Sequence, residues 1–437
     1  MRVRVICKTL HVVALRKWVY SRCPYLKSRK RIFTARIPAV RLSIPLQTIG
    51  NKIFRNTWIW ASLLATCATV LPCVAHAQTY TVVFKFARYE TPRQIIRDSA
   101  GNFYGATANG GSYNAGKVFK IDTQFRETVL YNFTNGSDGG DPSDGGLVRD
   151  QAGNLYGITI GGGNTACASL YITGCGVVFK IDASGKYSLL HRFAGGPDGS
   201  YPAGLSIDSK GNLYGTTIFG GDSCNCGTLF ELDPAGKFSQ LHLFLGEESS
   251  DGEDPQGVMA IDSAGNLFGT TWQGGATCFT CGTVYKVDSA GNETILHPFA
   301  GRRDGSQPKG LITNGALLYG TTYSGGSSDT GTVFTVDKSG NESVLYSFTG
   351  GADGRAPTPG LARDSAGNVY GTTAIGGDAG YGVVFELDSA GRETVLYSFS
   401  GKSDGAYPYA LIRAANANLY GLSSNGASQV LLFKITP

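Results

Sequence analysis

An all-β fold, a seven-bladed β-propeller of four-stranded blades, is predicted by three observations on residues 78–437 of the 437-residue chain. A short apolar-aromatic-Gly marker occurs seven times: Phe103-Tyr104-Gly105, Leu155-Tyr156-Gly157, Leu213-Tyr214-Gly215, Leu267-Phe268-Gly269, Leu318-Tyr319-Gly320, Val369-Tyr370-Gly371 and Leu419-Tyr420-Gly421. Successive markers lie 52, 58, 54, 51, 51 and 50 residues apart, a period that fits one blade per repeat. Composition agrees, because 62 glycines and only 16 % charged residues suit strands and turns better than helices.

Within a repeat the four strands can be placed in order, most clearly in the sixth copy. Residues 360–367 supply the first strand, 368–377 the second, 381–391 the third and 392–399 the fourth. Val, Tyr, Phe and Thr stand at near-alternate positions, as half-buried strands require. Asp364-Ser365-Ala366-Gly367-Asn368 and Asp388-Ser389-Ala390-Gly391 separate the first pair and the last pair. Both fit three-residue hairpins with Gly in the left-handed conformation. The two ends predict how the ring closes. Residues 80–86 (YTVVFKF) have the pattern of a fourth strand and residues 430–435 (VLLFKI) that of a third. One N-terminal strand should therefore complete a blade whose other three strands come from the C-terminus, which leaves no free edge between first and last blade.

The preceding residues have a different character. Residues 1–77 hold fourteen Lys or Arg and no Asp or Glu, so the net charge of +5 becomes −9 from Gln78 onward. Residues 1–50 read as a basic leader or an over-extended start. In residues 51–77 a basic flank, the apolar run Trp58–Val74 and the triplet Ala75-His76-Ala77 match a Sec-type secretory signal cut near Ala77. An uncleaved membrane anchor and lipidation at Cys67 are the competing readings. The expectation is an exported protein, secreted, periplasmic or at the cell surface, with no stable membrane span after cleavage. The acidic balance of the repeats removes nucleic acid from the expected partners.

In a propeller, the turns between strands two and three share one face with the blade-to-blade links. Here that face carries the longer and more varied loops, and ligands are expected on it. Six links contain DGxxP, with Asp138, Asp198, Asp251, Asp304, Asp353 and Asp404 as ligand-face candidates. Six carboxylates around one face could collect cations or orient sugar hydroxyls, whereas Asp before Gly also caps a turn. The seventh link keeps Pro92 but has Arg88 in place of the Asp.

Six cysteines remain after residue 77, two in each of three consecutive two–three loops: Cys167 with Cys175, Cys224 with Cys226, and Cys278 with Cys281. In an exported chain they read as three local disulfides. Sixteen residues after each second Cys stands a His, namely His191, His242 and His297, where other copies have Tyr131, Tyr346, Tyr397 or Phe84. Two Cys and one His per blade could instead hold a thiophilic metal, or the thiols could be free.

The blocks at 360–373 and 382–399, together with DGxxP, resemble the GloVer tandem repeat of choice-of-anchor bacterial proteins, over essentially all of 78–437. That resemblance implies an exported, surface-displayed repeat protein and supplies no catalytic residues or cofactor. Members are usually held by C-terminal sorting segments. This sequence stops at its last strand, so a released or periplasmic protein is expected. Two function classes follow. The first is a non-catalytic binding module, expected to be monomeric, that holds a glycan, peptide or protein on the loop-rich face. The second is a lyase- or hydrolase-type enzyme in the central funnel, where Asp144, Lys309 and Arg363 are the few charged candidates.

Overall fold

The computed structural model describes residues 78–436 apart from 168–172, 222–223, 247–250, 276–277, 279 and 426–428. The leader and the export signal predicted at 1–50 and 51–77 lie outside the described residues. Seven antiparallel sheets follow one another around a ring, and each is one blade. Blade 1 runs through Pro92–Arg97, Phe103–Thr107, Lys117–Ile121 and Glu127–Asn132. Blades 2 to 5 repeat this order. In blade 6 the first strand is split into Arg355–Pro357 and Ala362–Arg363, where Pro359 and Gly360 interrupt the pairing.

Ring closure follows the predicted pattern. Thr79–Lys85 pairs with Val430–Thr436, and the sheet continues through Leu419–Ser424 to Ala406–Arg413. Blade 7 is thus one N-terminal strand joined to three C-terminal ones. The hairpins are also as expected: the Asp364 and Asn368 backbones pair, Gly367 N–H donates to the Asp364 carbonyl, and Gly367 has φ +97°. The Asp side chain completes the turn by accepting from Asn368 N–H at 2.9 Å.

The marker glycine has a packing cause. A Cβ at Gly105, Gly157, Gly215, Gly269, Gly320, Gly371 or Gly421 would strike the aromatic ring on the third strand of the same blade. That ring meets the Phe that ends the preceding blade. Pairs such as Phe133–Phe179, Phe299–Phe334 and Phe86–Phe119 stand edge to face at 5.0–5.2 Å. The seven blade-ending phenylalanines, from Phe86 to Phe399, are all fully buried. Each such pair contributes about 0.5–1.5 kcal/mol beyond area burial. The core is therefore a set of seams between blades.

Candidate functional site

Each link aspartate is built into its own turn. Asp353 accepts from Thr349 N–H at 2.7 Å, Thr349 Oγ1 at 2.6 Å and Tyr346 Oη at 3.0 Å. Asp404 accepts from Ser400 N–H at 2.7 Å and Tyr397 Oη at 3.1 Å. Asp138 takes the same three kinds of donor from Thr134 and Tyr131. Burial raises the Asp404 carboxyl, but donation from Ser400 and Tyr397 outweighs it and holds the group below the usual range. The partner Tyr397 is pushed up to about 12 by burial and by that carboxylate.

The histidines occupy the tyrosine slot and do its work. His191 Nε2 lies 3.1 and 3.2 Å from the Asp198 oxygens, His242 Nε2 is 3.2 Å from Asp251, and His297 Nε2 approaches Asp304 at 3.4 Å. A carboxylate oxygen only accepts, so the His191 and His242 nitrogens that bond to it are the donors, while His297 makes a longer contact. The link N–H groups of Ala194, Leu245 and Ala300 complete the set. Among the described residues no three His, Cys, Asp or Glu side chains converge as a metal site. The cysteines are joined pairwise, Cys167–Cys175, Cys224–Cys226 and Cys278–Cys281, with Cα separations of 4.9, 5.3 and 5.4 Å. The carbonyl of each second Cys accepts from the next blade's link, from Tyr201, Asp254 and Gln307 N–H respectively. Each disulfide thus steadies the residue on which the following blade hangs.

The seventh link differs from its sequence reading. Arg88 stands at the Asp position, but Glu90 takes over the capping role and accepts from Ala87 N–H at 3.2 Å. Its other oxygen meets Lys117 Nζ at 2.7 Å, and Glu127 meets the same ammonium at 2.6 Å. Lys117 replaces the small residue that opens the third strand elsewhere, such as Thr228 or Thr332. A spacing rule cannot find this exchange, because the carboxylate has moved two positions along a shortened link.

The residue after each link proline leads to the axis. Arg93, Ser143, Ala203, Gln256, Lys309, Thr358 and Tyr409 hold that position in the seven blades, and all seven line one cavity of about 620 Å³. Ile160, Ile218 and Ser424, at the loop ends of second strands, also line it, so it opens on the two–three loop face. Below it a second space of about 250 Å³ is mostly apolar, with Ile95, Val258, Leu311, Pro359 and Leu411 among its walls. Of the charged candidates, Lys309 lines both spaces, whereas Arg363 stacks 5.3 Å from the Tyr319 ring of the neighbouring blade. The Asp144 side chain lies outside the described residues. Arg93, the other charged residue that lines the cavity, is 4.0 Å from Asp141, and Asp254, on the same strand as Gln256, accepts from Gln256 Nε2 at 2.8 Å. Sequence reasoning passed over this ring, although seven different residues behind an unvarying proline were a visible sign.

These features define a closed seven-bladed β-propeller with an axial cavity that differs at every blade. The chain belongs to the Gloeobacter/Verrucomicrobia repeat family, which matches over residues 68–250 and 226–433. No curated protein matches the sequence. Among solved structures, a catalytically inactive variant of virginiamycin B lyase from Staphylococcus aureus, with quinupristin, is similar at 14 % identity and a TM-score of 0.57, covering 82 % of this chain and 99 % of its own. The extracellular domain of a protein described as a hybrid two-component system from B. thetaiotaomicron is similar at 10 % identity and a TM-score of 0.53, covering 81 % of this chain and 39 % of its own. At these identities the likeness is one of fold. No helix among the described residues is long and apolar enough to cross a membrane.

Proposed function

We propose that this is an exported, non-catalytic binding protein whose ligand, a glycan, peptide or protein segment, enters the axial funnel from the loop-rich face. The single observation behind this reading is the ring after the link prolines. The frame repeats closely, yet the seven side chains presented to the cavity are all different. A rigid scaffold that presents a different side chain from each blade to one cavity suits recognition. The apolar and glycine-containing lower space favours binding over acid–base chemistry, which needs titratable groups converging on one point. Disulfides, together with the extracellular domain among the structural neighbours, support export. The link aspartates serve this function indirectly, by holding the turns that present the ring.

The test is calorimetric titration of the purified protein with oligosaccharide and peptide libraries, repeated in the presence of EDTA. Binding should saturate at one site, persist in EDTA, and weaken about tenfold in Arg93→Ala or Gln256→Ala without a fall in Tm. Turnover of a bound compound would replace this reading with that of a funnel enzyme.

A further inference from the structure

One stretch of the funnel rim differs in kind from the rest. The third position after the marker glycine holds Ala108, Ile160, Ile218, Trp272, Tyr323, Ala374 and Ser424. Aromatic rings stand there only in blades 4 and 5, which are neighbours. Trp272 and Tyr323 lie 5.8 Å apart between ring centroids with their planes at 50°, so they form an open wedge rather than a closed stack. Tyr323 is 48 % exposed, a large fraction for a ring on an internal strand.

The wedge is edged by groups that hydrogen-bond. Gln256 and Asp254 come from the first strand of blade 4 and are already oriented by their mutual bond. The Asp254 backbone has φ 58° and is held by its N–H bond to Cys226, so its side-chain direction is imposed by the fold. Gln307 and Ser324 lie on blade 5, with Ser324 Oγ 3.2 Å from Gln307 Oε1. Lys309 Nζ sits 5.9 Å from the Trp272 ring centroid, and among the described residues no carboxylate lies within 4 Å of it.

We infer that Trp272, Tyr323 and Lys309, with Gln256 and Asp254, form a saccharide subsite that takes a sugar bearing a carboxylate. Aromatic faces cover the apolar C–H face of a pyranose, while carboxamide and carboxyl groups match pairs of neighbouring hydroxyls. The ammonium then meets the acidic substituent, and a charge-assisted bond of this kind outweighs a neutral one. Burial raises the Asp254 carboxyl, against the lowering effect of the Gln256 hydrogen bond and of the Lys309 charge. The inference rests on the binding reading above and narrows it to one ligand class.

Trp272 makes the test direct. The chain has four tryptophans, and the other three, Trp18, Trp58 and Trp60, precede residue 78. In a full chain with those three replaced by Phe, tryptophan fluorescence reports this wedge alone. Oligogalacturonate should change that fluorescence saturably, and neutral galacto-oligosaccharide of equal length should bind at least about tenfold more weakly. Lys309→Met should remove the preference for the acidic probe and leave the neutral one within about twofold, while Tyr323→Ala weakens both. Thermal melting of both variants establishes that they are folded. No saturable change with either probe, or equal affinity of the two for the parent chain, overturns the inference. If another ligand found by calorimetry weakens with Arg93→Ala but not with Tyr323→Ala, the saccharide subsite fails and the general binding reading stands.

Discussion

At Asp353 one side chain decides how a blade is joined to the next. It is buried, and it satisfies a backbone N–H, a threonine hydroxyl and a tyrosine hydroxyl at once. Replacing it with Ala leaves those donors without a buried acceptor, at a cost of about 1–3 kcal/mol. We expect Asp353→Ala to lower Tm by several degrees while the fluorescence response of Trp272 to ligand is unchanged, because the Asp353 side chain is held by Tyr346 and Thr349 and not by the wedge or its polar edge. Calorimetric melting checks this, and an unchanged Tm would return Asp353 to the list of ligand contacts. DGxxP was legible in the sequence, and so was the possibility that it is a turn. Its true partner was not, because Tyr346 lies on a strand and meets the Asp only once the link has folded back over it.

At the scale of the element, the fourth strands hold a second set of carboxylates that motif reading did not register. Glu293, Glu342 and Glu393 open the fourth strands of blades 4, 5 and 6, and each has a buried oxygen without a hydrogen-bond partner. Each also feels the link carboxylate of the preceding blade: Asp251, Asp304 and Asp353 respectively. Burial first, and then the Asp353 charge, push Glu393 up to about 7. The native state therefore keeps a proton that the unfolded chain releases near pH 4.5. The stabilisation is complete below that value and is lost as pH rises through about 7. The lowered Asp304 and Asp404 act oppositely: their contribution is present above the usual carboxylate range and is lost on acidification. Parent Tm should consequently fall between pH 5 and pH 8, as a pH series of melting curves would record, and Glu393→Gln should flatten that fall. A parallel curve for the variant would sink the assignment. The burial of these glutamates comes from the adjacent blade, which covers what a lone sheet would expose to water.

At the scale of the whole molecule, closure is the feature on which the other elements depend. Tyr80 stacks on Tyr397 at 4.2 Å and donates to the Asp404 carbonyl at 2.5 Å, so the N-terminal strand ties blade 7 to blade 6 as well as covering Val430–Thr436. Removing residues 79–86 should expose that edge and abolish the single cooperative melting transition, giving aggregation visible by gel filtration. A truncated chain that stays soluble and melts as before would show that closure is dispensable. The sequence by itself determined the number of blades, the order of strands, the hairpins and the strand exchanged at closure, because each follows from local pattern and a repeat count. Only the tertiary structure decided which side chains face the axis, that Glu90 replaces the missing link Asp, and that the histidines serve turns. Both faces of every blade are covered by neighbouring blades, so alternation alone cannot distinguish seam from surface. The seven axial positions meet only when residues more than 300 apart in sequence, such as Tyr409 and Pro92 with their 2.9 Å hydrogen bond, are brought together by the ring.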